Sequence, residues 1–279
     1  MTTTLRPTGP LQQGADGAKT RAYQVCVNSR PVGAVELRTD PSFGSRWGVI
    51  AGLRIDEPDR GRGRGTVAAL AAEEVLRGWG CAHVRGSVPA EETAALRMAA
   101  ALGYTERSRH MLKELPQQPP ALPAGVDYRG MREDEFARWR AEAVLSYAQV
   151  WIDRGVPEAD ARAKSEADHR TNLPDGLATA GTTFDVLVVD GQVVGHVWVA
   201  GTEVRPGEQG TFVFDVEVAE EHRGRGHGRS LMRVAEREAL AAGARLIKLN
   251  VFADNTPAVR LYESLGYRAI QRHYAKPLL

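Results

Sequence analysis

The sequence predicts a mixed α+β protein in which one fold is written twice. The first observation is a long internal repeat, the feature to seek before any other. Arg60-Gly61-Arg62-Gly63-Arg64-Gly65 returns as Arg223-Gly224-Arg225-Gly226-His227-Gly228, an offset of 163 (223 − 60). The same offset carries Leu102-Gly103-Tyr104 onto Leu265-Gly266-Tyr267, Arg109-His110 onto Arg272-His273, Lys113 onto Lys276 and Leu115 onto Leu278. The second is a hairpin signal in each copy: β-branched runs flank Asp190-Gly191 within residues 185–200, and residues 23–37 have the same shape around a longer turn at Asn28–Pro31. The third is that each Gly-rich hexamer stands between a strand-like run and a helix-like one. A period this long means two domains rather than a solenoid. The Pro-rich stretch at 113–125 reads as a semi-stiff linker, so the domains are expected at 1–117 and 118–279.

The second copy can be read element by element. Residues 126–131 suit a short strand. Residues 132–153 place Phe136, Trp139, Ala143, Tyr147 and Val150 at helical spacing, and a more polar helix follows at 157–172. Strands at 184–190 and 193–200 form the hairpin, and residues 211–218 form another strand. The Gly-rich loop then opens a helix at 228–242, which Gly243 closes. Residues 245–252 are a strand. Asn255 caps a helix with Pro257 just inside it, and Gly266 ends that helix. Two closing strands are expected from Tyr267 onward. The first copy is shorter. It has a plausible strand near 3–7, but residues 8–21 lack periodicity and leave no room for the two early helices.

Composition narrows the function classes. Lys plus Arg is 36 and Asp plus Glu is 35, a net charge of +1, which argues against a strongly basic nucleic-acid binder. Apolar stretches such as DVLVVDGQVVGHVWVA are broken too often to span a bilayer. The start, MTTTLRPTGP, does not read as a secretory signal. Cys26 and Cys81 form neither a disulfide framework nor a zinc site, so a reduced, cytoplasmic setting without a metal is expected.

The Gly-rich loop carries the chemistry. A helix start leaves backbone N–H groups unpaired and bears partial positive charge, and glycines let the backbone approach an anion. A strand running through such a loop into a helix is a phosphate cradle. A Walker loop would need Gly-Lys-Ser/Thr, which is absent. A dinucleotide fingerprint would have different spacing and an earlier place in its domain. Both copies instead fit R/Q-x-x-G-x-G/A. With the block Asn255-Thr256-Pro257-Ala258, Leu261-Tyr262 and Leu265-Gly266-Tyr267, the chain resembles the GNAT superfamily of acyl-CoA-dependent N-acyltransferases. The resemblance covers nearly all of 126–279 and, less completely, 23–115.

The resemblance implies two tandem GNAT-like domains. Each is a largely antiparallel twisted sheet flanked by helices, with a splayed strand pair for coenzyme A. It also implies acetyl-CoA as cosubstrate and direct attack by an amine. Cofactor contacts are then expected from Arg223, Gly224, Arg225, Gly226, His227, Gly228, Arg229 and Asn255. Val216 and Val218 would offer backbone groups. Arg60, Gly61, Arg62, Gly63, Arg64 and Gly65 are their first-copy counterparts. The resemblance also gives Tyr262 as the acid facing the leaving sulfur. Glu217 and Asp215, two apart on one strand face opposite Phe214 and Val216, are a base and an attraction for a cationic amine. The bland readings are core packing for Tyr262 and an exposed charged face for the carboxylates. His196 and Trp198 read as ordinary packing.

The first copy has Ala99 at the place of Tyr262, Gly52 and Arg54 at those of Asp215 and Glu217, and Glu92 at that of Asn255. The second copy is therefore expected to be the enzyme and the first a degenerate partner, open to two roles: coenzyme A binding or a structural platform. The rival class is a non-catalytic acyl-CoA sensor or scaffold, against which the joint retention of Tyr262, Asp215 and Glu217 speaks. The expected partner is a small-molecule or peptide amine, with no nucleic acid and no membrane, on a monomer or homodimer.

Overall fold

The computed structural model describes residues 2–40, 46–153 and 155–278. The chain forms two compact units, neither of them one continuous stretch. The first is Met1–Arg107, Ala148–Lys164 and Gln271–Leu279, and the second is Ser108–Tyr147 and Ser165–Ile270. The sequence repeat and the compact unit are thus different partitions of the chain.

In the first unit, strands β1 (Thr3–Pro7), β3 (Lys19–Val27), β4 (Arg30–Thr39), β5 (Trp47–Ile55) and β6 (His83–Pro89) lie in that order, with the short β2 (Gln12–Gln13) on β3. The strand added to β6 is β13 (Arg268–Pro277), antiparallel from Gln271 opposite Pro89 to Pro277 opposite His83. In the second unit the order is β8 (Val126–Gly130), β9 (Thr182–Val189), β10 (Gln192–Arg205), β11 (Glu208–Val218) and β12 (Leu246–Phe252). The strand added to β12 is β7 (Thr105–Glu114), antiparallel from Leu246 opposite Glu114 to Phe252 opposite Ser108. The strand that ends each repeat therefore completes the sheet of the other unit.

Local chemistry explains most elements. Asp190 and Gly191 have φ of 51° and 75°, the two-residue turn whose twist matches the flanking strands. Asn28 and Ser29 (φ 47° and 69°) make the same turn, so the first hairpin is tighter than its sequence suggests and Pro31 already lies in β4, opposite Cys26. Helices α1 (Arg64–Gly78) and α5 (His227–Ala241) open at the Gly-rich loops. Helices α2 (Thr93–Ala101) and α6 (Thr256–Ser264) follow β6 and β12, while α3 (Glu133–Ile152) and α4 (Glu158–Asn172) are the early helices of the second repeat. The two closing strands expected after Tyr267 are one strand, β13, because no turn residue interrupts residues 268–277.

The second unit's main core packs Leu231, Val234 and Ala235 of α5 onto Val197, Val213, Ile247 and Leu249 of the sheet. A smaller cluster of Phe136, Trp139, Leu173, Phe184 and Trp198 includes residues of α3, β9 and β10. The first unit's core includes Leu37, Ala72, Leu76 and Val84. The Pro-rich stretch is not a free spacer. Leu122 packs on the second core, and Arg233 and Arg237 of α5 donate to the carbonyls of Ala121 and Pro120, both at 3.1 Å. Its missing amide donors leave its carbonyls to be met by side chains from α5. No helix among the described residues is long and apolar enough to cross a membrane.

One buried group gives the second unit a pH-dependent stability. Asp185 of β9 is 5% exposed, and its Oδ2 has no hydrogen-bond partner among the described residues. Burial, with the Glu238 carboxylate adding to it, raises its pKa to about 7. Folding then takes up a proton between the unfolded and folded pKa values, so stability falls as pH rises through that window. Asp185→Asn is expected to raise the melting temperature at about pH 8, flattening its pH dependence, and to change little near about pH 4. Thermal melts across that range check this, and an unchanged slope would count against it.

Candidate functional site

The site in the second unit begins with an incomplete strand pairing. β11 and β12 run parallel, but their pairing covers only Thr211–Val213 with Ile247–Leu249, although β11 continues to Val218 and β12 to Phe252. The strands splay beyond Val213 and open a slot whose near wall is β11 backbone. The first unit repeats this: β5 pairs with β6 only over Trp47–Ile50.

A β-bulge shapes the same stretch. Trp198 of β10 faces Asp215 and Val199 faces Val213, so Phe214 is the extra residue. The bulge corrects one expectation from strand alternation. Phe214 is not opposite Asp215: its ring stacks on Trp198, 4.6 Å between centroids, in the cluster whose Trp139 indole N–H donates to Asp215 Oδ2 at 2.8 Å. His196 Nε2 lies 3.0 Å from the same oxygen. Burial pushes the Asp215 carboxyl upward, but the hydrogen bond and charge of His196 and the bond from Trp139 outweigh it and leave its pKa lowered. Glu217 has a different environment. Its side chain is 59% exposed, and Arg223 Nη2 lies 3.7 Å from it. The carboxylates are thus one anchored anion and one solvated anion.

Tyr262 of α6 is 6% exposed in the main core. Burial, with the Asp215 charge as the second cause, raises its phenol to about 12. Asn255 Oδ1 accepts the N–H of Ala258 at 3.2 Å, so its side chain serves as the helix cap. In α2, Glu92 occupies this place without a capping bond, and the buried Ala99 replaces the phenol.

The Gly-rich loop combines a cradle with a lock. Gly224 and Gly226 have φ of 77° and 85°, and no atom lies within 4 Å of where their Cβ atoms would sit. Gly61 and Gly63 match them, both at 72°. Gly226 caps α5 without a side-chain bond, and the amides of Arg229 and Ser230 turn back to its carbonyl. The amides ahead of these point out of the helix start. Arg223 has a structural contact: its Nε donates to the Val218 carbonyl at 3.0 Å, as Arg60 Nε does to Ile55 at 2.8 Å. Arg225 and Arg62 are exposed, His227 is the first residue of α5, and Arg229 Nη2 donates to Ser264 Oγ at 2.7 Å. A Cβ on Gly228 would lie 3.2 Å from Leu261 Cδ2, and one on Gly65 would lie 3.3 Å from Met98 Sδ. Arg64 is 7% exposed and ion-paired with Asp59, which also accepts from Arg30. Val216 and Val218 send their side chains to the core, leaving backbone to face the slot.

Trp139 and His196 are the site residues that the sequence reading assigned to packing. Trp139 fits a helical apolar stripe and His196 an alternating strand. Their common target shows only when β10, β11 and α3 are assembled.

The model of the Acetyltransferase (GNAT) family matches residues 5–104 and 141–267. The chain belongs to the GNAT acetyltransferase family. A GNAT protein of this class is an acetyl-CoA-dependent acyltransferase. A mycothiol acetyltransferase of Streptomyces avermitilis is 30% identical over 271 residues, covering 93% of this chain and 80% of that one. The uncharacterized N-acetyltransferase YdgE of Bacillus subtilis is 30% identical over 139 residues, 49% of this chain and 88% of its own. Among solved structures, a GCN5-related N-acetyltransferase from Sphaerobacter thermophilus superposes with a TM-score of 0.60 at 21% identity, covering 92% of this chain and 80% of that one. A tandem GNAT protein from the clavulanic acid biosynthesis pathway does so with a TM-score of 0.53 at 21% identity, covering 96% and 85%. At that identity the likeness shows the fold.

The residues present fit acetyl-CoA. The open side of Gly224 and Gly226 and the uncapped start of α5 suit a pyrophosphate, and the splay of β11 from β12 suits an extended arm. Gly226→Val tests the cradle, because a β-branched residue at φ 85° is strained even where space is open. Calorimetry is expected to show acetyl-CoA binding weakened about tenfold or more. Unchanged affinity would remove the loop from the binding site.

Proposed function

We propose that residues 118–279 carry an N-acetyltransferase that moves an acetyl group from acetyl-CoA to a primary amine by direct attack, and that residues 1–117 are a degenerate, non-catalytic copy. One observation carries this reading. Asp215, held by His196 and Trp139, and the buried Tyr262 stand on the strand and the helix next to the splay of the second unit, where the first repeat has Gly52 and Ala99.

Acetyl-CoA, when bound, supplies an activated thioester carbonyl. The backbone of β11 beyond the splay holds that carbonyl and polarises it. Glu217, exposed on β11, draws an ammonium toward the slot and takes its proton, directly or through one water. Asp215 keeps His196 in a fixed orientation on the same strand face. The new bond is N–C and the broken bond is C–S; the second proton that nitrogen sheds as the amide forms passes through water to the departing thiolate, so coenzyme A leaves as the thiol. Tyr262, at about 12, stays protonated throughout the working pH range. A thiol of pKa about 8.5 is the stronger acid, so Tyr262 stabilises the departing sulfur by donating a hydrogen bond rather than by surrendering its proton.

The mycothiol acetyltransferase of Streptomyces avermitilis, aligned along most of its length, supports a small-molecule amine as acceptor. The test is thiol release from acetyl-CoA with a panel of amino sugars, polyamines, amino-acid amides and short peptides. Tyr262→Phe is expected to lower kcat by about tenfold to a hundredfold with acetyl-CoA affinity kept, and Glu217→Gln to raise KM for the amine. Full turnover by Tyr262→Phe would remove its assignment.

A further inference from the structure

The strand exchange places a side chain of the first repeat within reach of the second unit's chemistry. Lys113 of β7 pairs with Glu236 of α5, Nζ to Oε1 at 2.6 Å, and Glu236 is 1% exposed. A buried carboxylate of this kind needs its cation. Lys113 Nζ also lies 5.5 Å from the centroid of the Tyr267 ring. Tyr267 is 2% exposed and follows the C-terminal end of α6. Its N–H donates to the Tyr262 carbonyl at 3.0 Å, and the two rings are 5.9 Å apart. Helix α6 has nine residues, too few to hold its own direction in isolation. Its orientation comes from the packing of Val259 and Tyr262 in the core, with Asn255 holding one end and Tyr267 the other.

We propose that Lys113, held by Glu236, is a positioning residue for Tyr262, acting through Tyr267, so that the first repeat contributes to the chemistry of the second. This rests on the reading of Tyr262 as the hydrogen-bond donor to the leaving sulfur. The molecule contains its own control. In the first unit Lys276 of β13 pairs with Glu73 at 2.8 Å, Tyr104 donates its hydroxyl to Glu73 at 2.8 Å, and Lys276 lies 5.0 Å from the Tyr104 ring centroid. The N–H of Tyr104 donates to the carbonyl of Ala99 at 3.0 Å. The lysine–glutamate pair and the backbone bond recur there against a residue with no phenol to aim, with one difference: the Tyr104 hydroxyl reaches Glu73, whereas the Tyr267 hydroxyl has no hydrogen-bond partner among the described residues. The titratable groups acting on Tyr262 include Asp215 and the neighbouring Tyr267, and Tyr267 in turn feels Glu236 and lies under the Lys113 ammonium.

The test is a double-mutant cycle in the full chain, read by thiol release with the amine that the panel selects. Lys113→Met is expected to lower kcat about tenfold while KM for acetyl-CoA stays within about twofold, and Lys113→Arg to restore most of it. In the Tyr262→Phe background, Lys113→Met is expected to cost no further activity. Lys276→Met is expected to lower the melting temperature and leave kcat unchanged. Equal melting losses for the two lysine variants with kcat kept, or losses that multiply in the double variant, would overturn the proposal. A second readout needs no acceptor: in fluorotyrosine-labelled protein, the Tyr262 resonance is expected to shift with Lys113→Met and not with Lys276→Met. If Tyr262→Phe alone turns over normally, the donor reading fails, and this resonance still decides whether Lys113 reaches Tyr262. An unmoved resonance overturns the coupling.

Discussion

The second unit is organised around a parallel strand pair that stops pairing after three residues. β11 and β12 start together at Thr211 and Ile247 and then separate. A strand edge inside a sheet is costly unless its backbone groups find partners. In the proposed function, the released length of β11 is where the arm of a thioester cosubstrate adds hydrogen bonds. Everything that could act on that arm sits along the same path. The bulge at Phe214 aims Asp215, the loop after Val218 opens α5, and the helix after β12 carries Tyr262.

Close packing around the slot keeps it open. Gly195 of β10 is needed because a Cβ there would lie 2.3 Å from the Glu217 carbonyl, and Gly33 has the same relation to Arg54 at 2.2 Å. Arg223 and Arg60 tie each Gly-rich loop back to the strand before it. These features are shared by both units. The differences lie in the side chains next to the slot: a phenol against Ala99, an anchored carboxylate against Gly52, and a first-copy loop whose Arg64 is buried on Asp59.

Much of this was legible in the residues. The hairpin at Asp190-Gly191, the cap at Asn255, the left-handed Gly266 and the Gly-rich helix starts are local signals, and local geometry satisfies them. Trp139 and His196 were not legible as site residues. A tryptophan on an apolar stripe and a histidine in an alternating strand look like packing until an antiparallel register and a helix bring both to Asp215. The bulge was hidden for a related reason. Strand alternation is a regular rule, and one extra residue inverts it without leaving a mark in composition.

Residue order alone shows that one fold occurs twice, that each copy carries a Gly-rich loop opening a helix, and that only the second keeps Tyr262, Asp215 and Glu217. Spacing and residue type suffice for those conclusions because they concern contacts within a few residues or a strict offset. The tertiary structure alone decided where each repeat's last strand goes. Lys113 and Lys276 are identical residues on equivalent strands, so either could serve either glutamate as far as the sequence shows. The fold sends each to the other repeat's Glu236 or Glu73, since strand pairing across sequence distance is settled by which sheet edge the assembled chain presents.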